Sequence, residues 1–548
     1  MARRKRDVWF FIGAVILLLY CVFLLYPLVG LLLKSVRDGS GGFSAVNFHK
    51  FFSRKYYYGA ILNSLKVTAA VTLLSVLVAM PLAYIMNTVR IRFAGAVQIL
   101  ILISMVSPPF IGAYSWILLA GRNGVVTNLF KGVFGVRLPD IYGFGGIALV
   151  LTLQMIPLVY MYVSGALKNV DSSIFEAAES LGCSGLRKII KVVIPIIMPT
   201  LLASGLLVFM RALADFGTPM LLGEGYRTVP SLIYNEFMGE VSSDKGFAAA
   251  ISVMVVVFAT TIFIVQQYVS RKKSFQTSSM RPVEAKKVKG LRGILFHLYV
   301  YMYVALAMAP QFYVIYTSFL NTSGRLFVPG YGLESYRTAF SKIGNSITNT
   351  IVLALISLVI IISIAVMVAY ITVRRRGTAA SVLNVATMFP YIVPGSALGI
   401  ALLLTFNRKP ILLSGTAAIM VLSFVIRRLA YTVRSTSALL QQLSVSTEEA
   451  AVSLGASPMK TFFRVTLPAL LPGVFSGAIL TWITILTELS TSILLYVAST
   501  RTMTVAIYTE VLRGNYGTAA ALSTVLSAIT IVSLLIFYKL TGKREVIM

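Results

Sequence analysis

Two carboxylates lie near the ends of long apolar segments, where an acidic side chain is unfavourable. Asp215 occurs in ADFGTP and Glu488 in TELSTS, in the two halves of the chain. A carboxylate inside a membrane is costly, so it marks either a pathway for ions and solutes or a buried ion pair. A pathway role favours a cation or a metal complex as the species that moves. A structural role is also open, because Arg211 lies one helical turn before Asp215 on the same helix face, whereas Thr484 takes that place before Glu488.

The sequence offers little else for catalysis or metal binding. Its two cysteines, Cys21 and Cys183, and its two histidines, His49 and His297, are scattered rather than clustered. This pattern matches neither a zinc nor a haem site, and the sequence has no G-x-x-x-x-G-K-[ST] phosphate loop. We therefore expect no catalytic residue, no metal and no cofactor in this chain, and a membrane-embedded enzyme is disfavoured.

The elements that carry the carboxylates are predicted to be membrane helices. Of the 548 residues, 57% are hydrophobic and 12% are charged, and the mean hydropathy is +0.86. A soluble protein has about a quarter charged residues. In a soluble protein, the formal charge of +30 would suggest binding to nucleic acid. Here the basic residues flank apolar segments, which is the pattern of cytoplasmic loops in a membrane protein. We expect an integral membrane protein in contact with lipid and without nucleic acid.

Twelve apolar segments, each long enough to span a bilayer, predict an all-α integral membrane fold. The first six lie near 9–33, 63–87, 95–120, 143–167, 195–219 and 247–270. The second six lie near 294–319, 347–373, 379–405, 411–435, 468–496 and 516–541. The first segment is too long for a cleaved signal and predicts a retained helix. Pro108 and Pro109 in the third segment, and Pro390 and Pro394 in the ninth, predict broken helices.

The two groups of six are internal repeats. The matching residues Glu176, Gly182, Pro195 and Pro199 recur at one constant offset as Glu449, Gly455, Pro468 and Pro472, and the same offset relates Asp215 to Glu488. We therefore divide the chain into a first repeat at 1–270, a basic cytoplasmic linker at 271–293 and a second repeat at 294–548. Each repeat has an even number of spans, which predicts two parallel six-helix repeats rather than an inverted pair.

The distribution of charge orients these helices. Residues 3–6 (RRKR), residues 374–376 (RRR) and the linker are basic, whereas the loop near 220–246 is comparatively acidic. By the positive-inside rule, the N- and C-termini lie in the cytoplasm and the acidic loop lies outside. We expect a multi-pass protein of a bacterial or archaeal plasma (inner) membrane. Asp215 and Glu488 follow cytoplasmic prolines by about 20 residues, or roughly 30 Å of helix, and are therefore expected near the outer surface.

A polar stretch recurs in both repeats on the predicted cytoplasmic side. Residues 176–185 read EAAESLGCSG and residues 449–458 read EAAVSLGASP. The predicted capping boxes are Ser173-x-x-Glu176 and Ser446-x-x-Glu449. Gly182 and Gly455 are placed to end the short helices in a left-handed conformation. The alanines leave a face that another protein can approach closely, and duplication suggests a partner with twofold symmetry.

The motif EAA-x-x-x-G, followed in both repeats by a proline at the same distance after the glycine, resembles the coupling loop of permease subunits in binding-protein-dependent ABC importers. The resemblance implies a type I importer permease fold and a transport subunit that is not itself an enzyme. It implies that each loop docks one of two copies of a separate P-loop ATPase, which binds ATP and Mg. The residues implied in coupling are Glu176, Ala177, Ala178, Gly182, Glu449, Ala450, Ala451 and Gly455.

The fused two-repeat layout, with ADFGTPMLLG in the first repeat and TELSTSILLY in the second, is similar to ferric-iron-type permeases of this superfamily. It implies import of ferric iron delivered by an extracytoplasmic solute-binding protein. Fused permeases for thiamine share the layout, and polyamine, phosphonate and sulfate remain open as substrates. A transporter of a different class is the alternative to an importer permease. It would be an ion-coupled secondary transporter with Asp215 and Glu488 as the groups that couple ion and solute. Their expected position near the outer surface, rather than at the midplane, argues against that alternative.

Overall fold

The computed structural model describes residues 8–37, 42–106, 108–239, 244–272, 285–375 and 377–541. The α-helices are Val8–Tyr20, Tyr26–Ser35, Val46–Ser53, Lys55–Thr88, Ala94–Val106, Pro109–Ala120, Val125–Phe134, Phe144–Lys168, Ser172–Ser180, Gly185–Lys188, Ile194–Ala214, Gly217–Leu222, Val229–Met238, Lys245–Lys272, Leu291–Ser318, Glu334–Arg374, Thr378–Met388, Gly395–Thr405, Ala417–Gln442, Val445–Ser453, Pro458–Thr461, Leu467–Leu486, Ser492–Leu495, Met503–Arg513 and Tyr516–Thr541.

Short irregular helical turns and two hairpins complete the described structure. The π-helical turns are Cys21–Leu25, Ile189–Val193 and Phe462–Thr466, and the 3₁₀ turns are Phe389–Tyr391 and Ala498–Thr500. The antiparallel hairpins pair Leu320–Ser323 with Leu326–Tyr331, and Asn407–Arg408 with Ile411–Leu412.

Among the described residues, nine helices are long and apolar enough to cross a membrane, and two bent pairs raise the number to eleven. One bent pair, Thr378–Tyr391 with Gly395–Thr405, turns by 105°. The other is Ala94–Met105 with Phe110–Phe134. Both breaks fall at the predicted prolines, which lack the N–H that a continuous helix needs. The multi-pass helical membrane fold and the two broken segments are therefore confirmed.

The predicted tenth segment, 411–435, differs from the other eleven. The structure has a helix there, Ala417–Gln442, but Arg427, Arg428 and Arg434 make its composition too polar to be counted by hydropathy. Charged residues of a membrane helix need partners inside the protein.

The described helices form two compact units that cut across the sequence repeats. The larger unit contains Met1–His49, Glu236–Val256 and Ser318–Met548, and the smaller contains Lys50–Asn235 and Val257–Thr317. The larger unit thus has the opening helix of the first repeat, the start of the helix Lys245–Lys272 and most of the second repeat, whereas the smaller unit has the other helices of the first repeat and the opening helix of the second. The repeat boundaries at 1–270 and 294–548 remain a prediction from sequence, and most of the predicted linker, residues 273–284, lies outside the described residues.

In the larger unit, a helix of 41 residues, Glu334–Arg374, packs against Ala417–Gln442 and Leu467–Leu486. The opening helix Val8–Tyr20 also packs on this long helix. Trp9 is 2% exposed. The aromatic contact is described below because it borders one of the repeated loops.

In the smaller unit, the corresponding helix of 34 residues, Lys55–Thr88, packs against Phe144–Lys168 and Ile194–Ala214. Val300 and Tyr303 of the helix Leu291–Ser318 join this core. Buried apolar side chains form the core of this unit, and polar contacts such as Asn87 with Ser164 add to it.

The same hydrogen bond occurs at corresponding positions of both repeats. Asn63 Nδ2 donates to the carbonyl of Arg227 at 3.0 Å, and Asn349 Nδ2 donates to the carbonyl of Arg501 at 3.2 Å. Each bond ties the start of a long helix to the backbone just before a helix of the predicted outer region. The internal repeat seen in the sequence is therefore also a repeat of contacts.

Candidate functional site

Both repeated loops form the predicted short helices, but the caps differ from those expected. The first loop helix is Ser172–Ser180, and its cap is Asp171, whose Oδ1 accepts from the N–H of Ser173 at 2.9 Å. The second loop helix is Val445–Ser453, and its cap is Ser444, whose Oγ accepts from the N–H of Ser446 at 3.2 Å. The predicted caps Ser173 and Ser446 lie inside the helices. The prediction was wrong because a better-placed polar residue in extended conformation precedes each of them by two positions.

The two glycines end these helices as predicted. Gly182 has φ +73° and Gly455 has φ +84°. Beyond them, the N–H of Cys183 donates to the carbonyl of Ala178 at 2.8 Å, and Ala456 makes the matching bond to the carbonyl of Ala451 at 3.1 Å. This is the hydrogen-bond pattern of a Schellman motif. A Cβ at either glycine meets no atom within 4 Å, so backbone conformation rather than space requires glycine here.

Each loop exposes one leucine immediately before its glycine. Leu181 is 87% exposed and Leu454 is 89% exposed. Glu176, Ala177, Glu449 and Ala450 are exposed beside them, whereas Ala178 is buried and Ala451 partly buried. An apolar side chain held out on a rigid, polar, small-residue turn suits insertion into a pocket of another protein. The sequence analysis missed these leucines, although their recurrence at the common spacing was visible.

The second loop helix is fixed to the long helix Glu334–Arg374 by an ion pair. Arg374 Nε lies 3.0 Å from Glu448 Oε1, and Tyr370 Oη donates to the same carboxylate at 3.2 Å. Arg374 also donates to the carbonyl of Leu443 at 2.9 Å. Both charged side chains are largely buried. The ion pair and these hydrogen bonds therefore connect the loop helix directly to the long helix.

The first loop helix is fixed differently. Phe175 is buried, and Lys188 Nζ lies 5.4 Å from the centre of its ring. Lys188 also pairs with Glu179 at 2.5 Å, and its charge and hydrogen bond hold the pKa of Glu179 below its usual range. The two loops thus share sequence and backbone but differ in their anchors.

Each loop leads into a membrane helix that ends beside one of the two carboxylates. The stretches Gly185–Ala214 and Pro458–Leu486 are each helical throughout, with a π-helical turn near the start of each. Asp215 follows the first stretch directly, and Glu488 closely follows the second. At 1.5 Å per residue, each helix separates loop from carboxylate by about 45 Å.

Asp215 lies at the end of its helix and is partly exposed. Its Oδ1 accepts from the N–H of Thr218 at 2.9 Å. This contact lies in the first turn of the short helix Gly217–Leu222. A partly exposed carboxylate keeps acceptor capacity for another ligand.

Glu488 is buried in an ion cluster. It is 3% exposed, and its carboxylate contacts Arg427 Nη1 at 2.6 Å and Arg428 Nη2. Like Asp215, it also accepts from the backbone one turn later, at Thr491 (3.0 Å). A Cβ at Gly395, where the broken ninth segment resumes, would lie 2.6 Å from Arg427 Nη1. The cluster therefore ties Glu488 to the helix Ala417–Gln442 and sits directly against the restart of the broken span.

The arginine partners were missed by the sequence analysis because it sought a partner on the same helix. Arg427 and Arg428 are distant from Glu488 in sequence and come from a neighbouring helix. In the first repeat, Gln154 takes the place of Arg427 at the common offset of the repeat. The carboxylate of Asp215 is thus more available to a ligand than that of Glu488. The local sequence suggests the opposite, because only Asp215 has an arginine one turn earlier on its own helix.

Metal binding by the chain itself has no support in the described part of the structure. Among those residues, no group of three or more His, Cys, Asp or Glu side chains is arranged to hold a metal ion.

Comparison with known proteins gives a matching family and full-length relatives. The profile of the family described as "Binding-protein-dependent transport system inner membrane component" matches residues 70–275 and 361–545. The "Ferric transport system permease protein FbpB" of Actinobacillus pleuropneumoniae is 29% identical over 545 residues, which cover 98% of this chain and 79% of that protein. The "Putative ferric transport system permease protein FbpB 1" of Haemophilus influenzae is 29% identical over 494 residues, covering 89% and 78%.

A solved structure also matches part of the chain. It is the crystal structure of a bacterial alginate ABC transporter in complex with an alginate pentasaccharide-bound periplasmic protein. The matching chain has 19% sequence identity and a TM-score of 0.42, and the match covers 49% of this chain and 96% of that chain.

Replacement Glu488→Gln is expected to destabilise the protein strongly, because it removes the carboxylate that pairs with Arg427 and Arg428, both of which are largely buried. Breaking a buried ion pair by removing one partner costs about 3–5 kcal/mol. The matched control is Glu334→Gln, whose side chain is 73% exposed and 3.8 Å from Arg337, and which should change stability by about 0–1 kcal/mol. Thermal unfolding of the purified chain in detergent measures both. Equal melting temperatures for the two variants would contradict the assigned role of the cluster.

Proposed function

Because the chain belongs to the family of binding-protein-dependent transport system inner membrane components, we propose that it is the permease of an ATP-driven importer of ferric iron. In this proposal a solute-binding protein delivers the iron at the outer surface, and the chain moves it into the cytoplasm. The chain is a multi-pass membrane protein and a transport subunit. Hydrolysis of ATP, with its Mg, belongs to separate ATPase subunits.

The observation that carries the proposal is the pair of exposed leucines on matching rigid turns. Leu181 and Leu454 project from turns with the same backbone hydrogen bonds and the same left-handed glycine. Two such points on one chain support a partner present in two copies. Glu176, Ala177, Glu449 and Ala450 surround the leucines with small and acidic groups that line the proposed contact.

The proposed coupling runs along the two continuous helices that join loop and carboxylate. Closure of the ATPases on nucleotide displaces the loop helices, and the stretches Gly185–Ala214 and Pro458–Leu486 transmit this displacement to the opposite end. In the second repeat, Arg374 and Glu448 add the long helix to the moving body. Helices suit this role because their backbone hydrogen bonds make them stiff along the axis.

The orientation of the chain in the membrane follows from the proposed docking of the ATPase subunits on the two loops. The loops, the linker and both termini are proposed to lie in the cytoplasm, and Asp215 and Glu488 near the outer surface of a bacterial or archaeal inner membrane. The basic side chains at the ends of the helices agree with this orientation by the positive-inside rule.

The support for ferric iron comes from relatives and from one carboxylate. Two ferric transport permeases match this chain over most of its length. Asp215 is partly exposed at the proposed outer mouth and carries a charge that attracts cations. Glu488 is neutralised by Arg427 and Arg428, so we assign it to the framework of the pathway rather than to contact with the cargo.

Charge at the exposed leucines should weaken docking without unfolding the chain. We expect Leu181→Glu and Leu454→Glu each to weaken ATPase binding by at least about tenfold, since a hot-spot residue contributes about 2 kcal/mol or more. The matched control is Leu326→Glu, at a leucine 71% exposed on a hairpin, which should bind the ATPase normally. Binding is measured by titrating labelled ATPase onto the purified chain in nanodiscs. Unchanged affinity in both loop variants would contradict the docking assignment.

The substrate is tested by the receptor that activates the complex. In liposomes that contain this chain and its ATPase, the binding protein loaded with ferric iron should stimulate ATP hydrolysis several-fold and deliver iron to the lumen. The same receptor without iron is the control. Stimulation by receptors carrying thiamine, polyamine or phosphonate, and not by one carrying iron, would overturn the substrate while leaving the importer intact. Uptake driven by an ion gradient without ATPase would overturn the importer itself.

A further inference from the structure

A large apolar cavity opens in the smaller unit beside the first loop helix. Its volume is about 1650 Å³, which exceeds the roughly 300–1,000 Å³ of ordinary small-molecule pockets. One wall is the helix Lys55–Thr88 from Ala69 onward, and another is the membrane helix that follows the loop, as far as Phe209. Phe175 and Glu176 of the loop helix border it. We call this cavity the crevice.

The corresponding place in the second repeat is closed by side chains. The rings of Trp9 and Tyr370 lie 4.4 Å apart, and those of Trp9 and Phe462 lie 4.7 Å apart. Next to them, the pair Arg374–Glu448 bridges the long helix and the loop helix. Aromatic packing and an ion pair together fill this space.

In the smaller unit, four of the five corresponding positions carry a different type of side chain, and only the tyrosine is kept. Trp9 and Arg292 correspond because each is the second residue of its opening helix. The spacings of the repeat give the other four equivalents, which are Tyr84 for Tyr370, Ile189 for Phe462, Thr88 for Arg374 and Phe175 for Glu448. All five equivalents line the crevice. The crevice is therefore a specific difference between the repeats and not a general gap between membrane helices.

Basic side chains stand at the mouth of the crevice. The backbone of Lys286 is held there by hydrogen bonds to Thr88 O (2.9 Å) and from Arg90 N (3.0 Å). Arg292 lies beside it on the helix Leu291–Ser318 and is exposed. Neither Lys286 nor Arg292 forms an ion pair with the described residues. Lys188 also lines the mouth but is paired with Glu179.

The walls below the mouth are apolar over a long distance. Ala69, Leu73 and Leu77 follow one another along the outward face of the long helix, and all three are exposed. From Ala69 to Val89 this wall measures about 30 Å, close to the thickness of the hydrocarbon core. A ligand for such a site needs an anionic head and long apolar chains.

We propose that the crevice binds one anionic phospholipid, with its phosphate at Lys286 and Arg292 and its acyl chains along the helix Lys55–Thr88. Basic pockets between membrane helices on the cytoplasmic side hold anionic headgroups in this way. The assignment of this mouth to the cytoplasmic leaflet rests on the proposed function. The lipid contacts Phe175, so it supports the first loop helix where the second has Arg374 and Glu448.

The transported solute is a poor occupant of the crevice. The carboxylates at the mouth are Glu176 and Glu179, and Glu179 is paired with Lys188. The remaining walls carry few oxygen atoms, whereas hard metal cations require several oxygen ligands. Charge and polarity therefore favour a lipid over a cation.

The test is lipid retention by the full-length chain, measured by native mass spectrometry after exchange into defined lipid. We expect one tightly held phosphatidylglycerol, and no comparable retention of phosphatidylcholine. The double variant Lys286→Glu/Arg292→Glu should lower phosphatidylglycerol retention by about fivefold for each basic residue removed. The control Arg187→Glu reverses an exposed charge of the same loop that does not line the crevice, and should retain the lipid.

A second variant tests the apolar part independently of the charge at Lys286. Ile189→Phe/Arg292→Trp introduces the two rings that stand at the corresponding place in the larger unit and should obstruct the mouth of the crevice, lowering retention of the lipid while the chain still binds ATPase. Equal retention of the two lipids, or loss in Arg187→Glu as large as in the double charge variant, would overturn the proposal. ATPase binding by the same preparations is measured in parallel. Retained lipid without ATPase binding would instead refute the proposed function and leave the lipid site standing.

Discussion

Each repeat connects a rigid loop to a membrane carboxylate through one continuous helix, and the rest of the fold serves this connection. A charge inside a membrane has to be paired or kept near water. Glu488 is paired with Arg427 and Arg428, while Asp215 remains partly exposed and caps a short helix. At the other end of each helix, a left-handed glycine stops the loop helix and holds a leucine away from the protein. In the proposed function, the continuous helix transmits displacement from one end to the other.

The two repeats share this frame but have diverged in how they fix it. In the second repeat, ion pairs and aromatic packing fix the helices. They are the arginines at Glu488, the pair Arg374–Glu448 and the rings around Trp9. The first repeat has a neutral Gln154 at the place of Arg427 and an open crevice at the place of the aromatic cluster. The two repeats therefore share a backbone arrangement but differ in the side chains that stabilise it.

Much of this could be read from sequence because it depends on local or repeated signals. Proline predicted the breaks in the third and ninth segments, glycine predicted the ends of the loop helices, and duplication identified the loops. The caps were misassigned because two nearby polar residues compete for the same backbone donors, and local sequence does not decide between them. The arginine partners of Glu488 were missed because the contact joins separate helices. Hydropathy identifies the opening helices but not the core that each one joins. Only the structure shows that Val8–Ser35 joins the core formed by the second repeat and that Leu291–Ser318 joins the core formed by the first.

The central claim is that this one chain has two ATPase docking points, one on each loop. The mass of the intact complex, measured by native mass spectrometry with ATPase in excess and nucleotide bound, tests it most directly. The account predicts one permease chain with two ATPase subunits, and a single ATPase when Leu454 alone carries a charge. A complex that holds only one ATPase in the unaltered protein, or one that holds two when both leucines are replaced by glutamate, would contradict it.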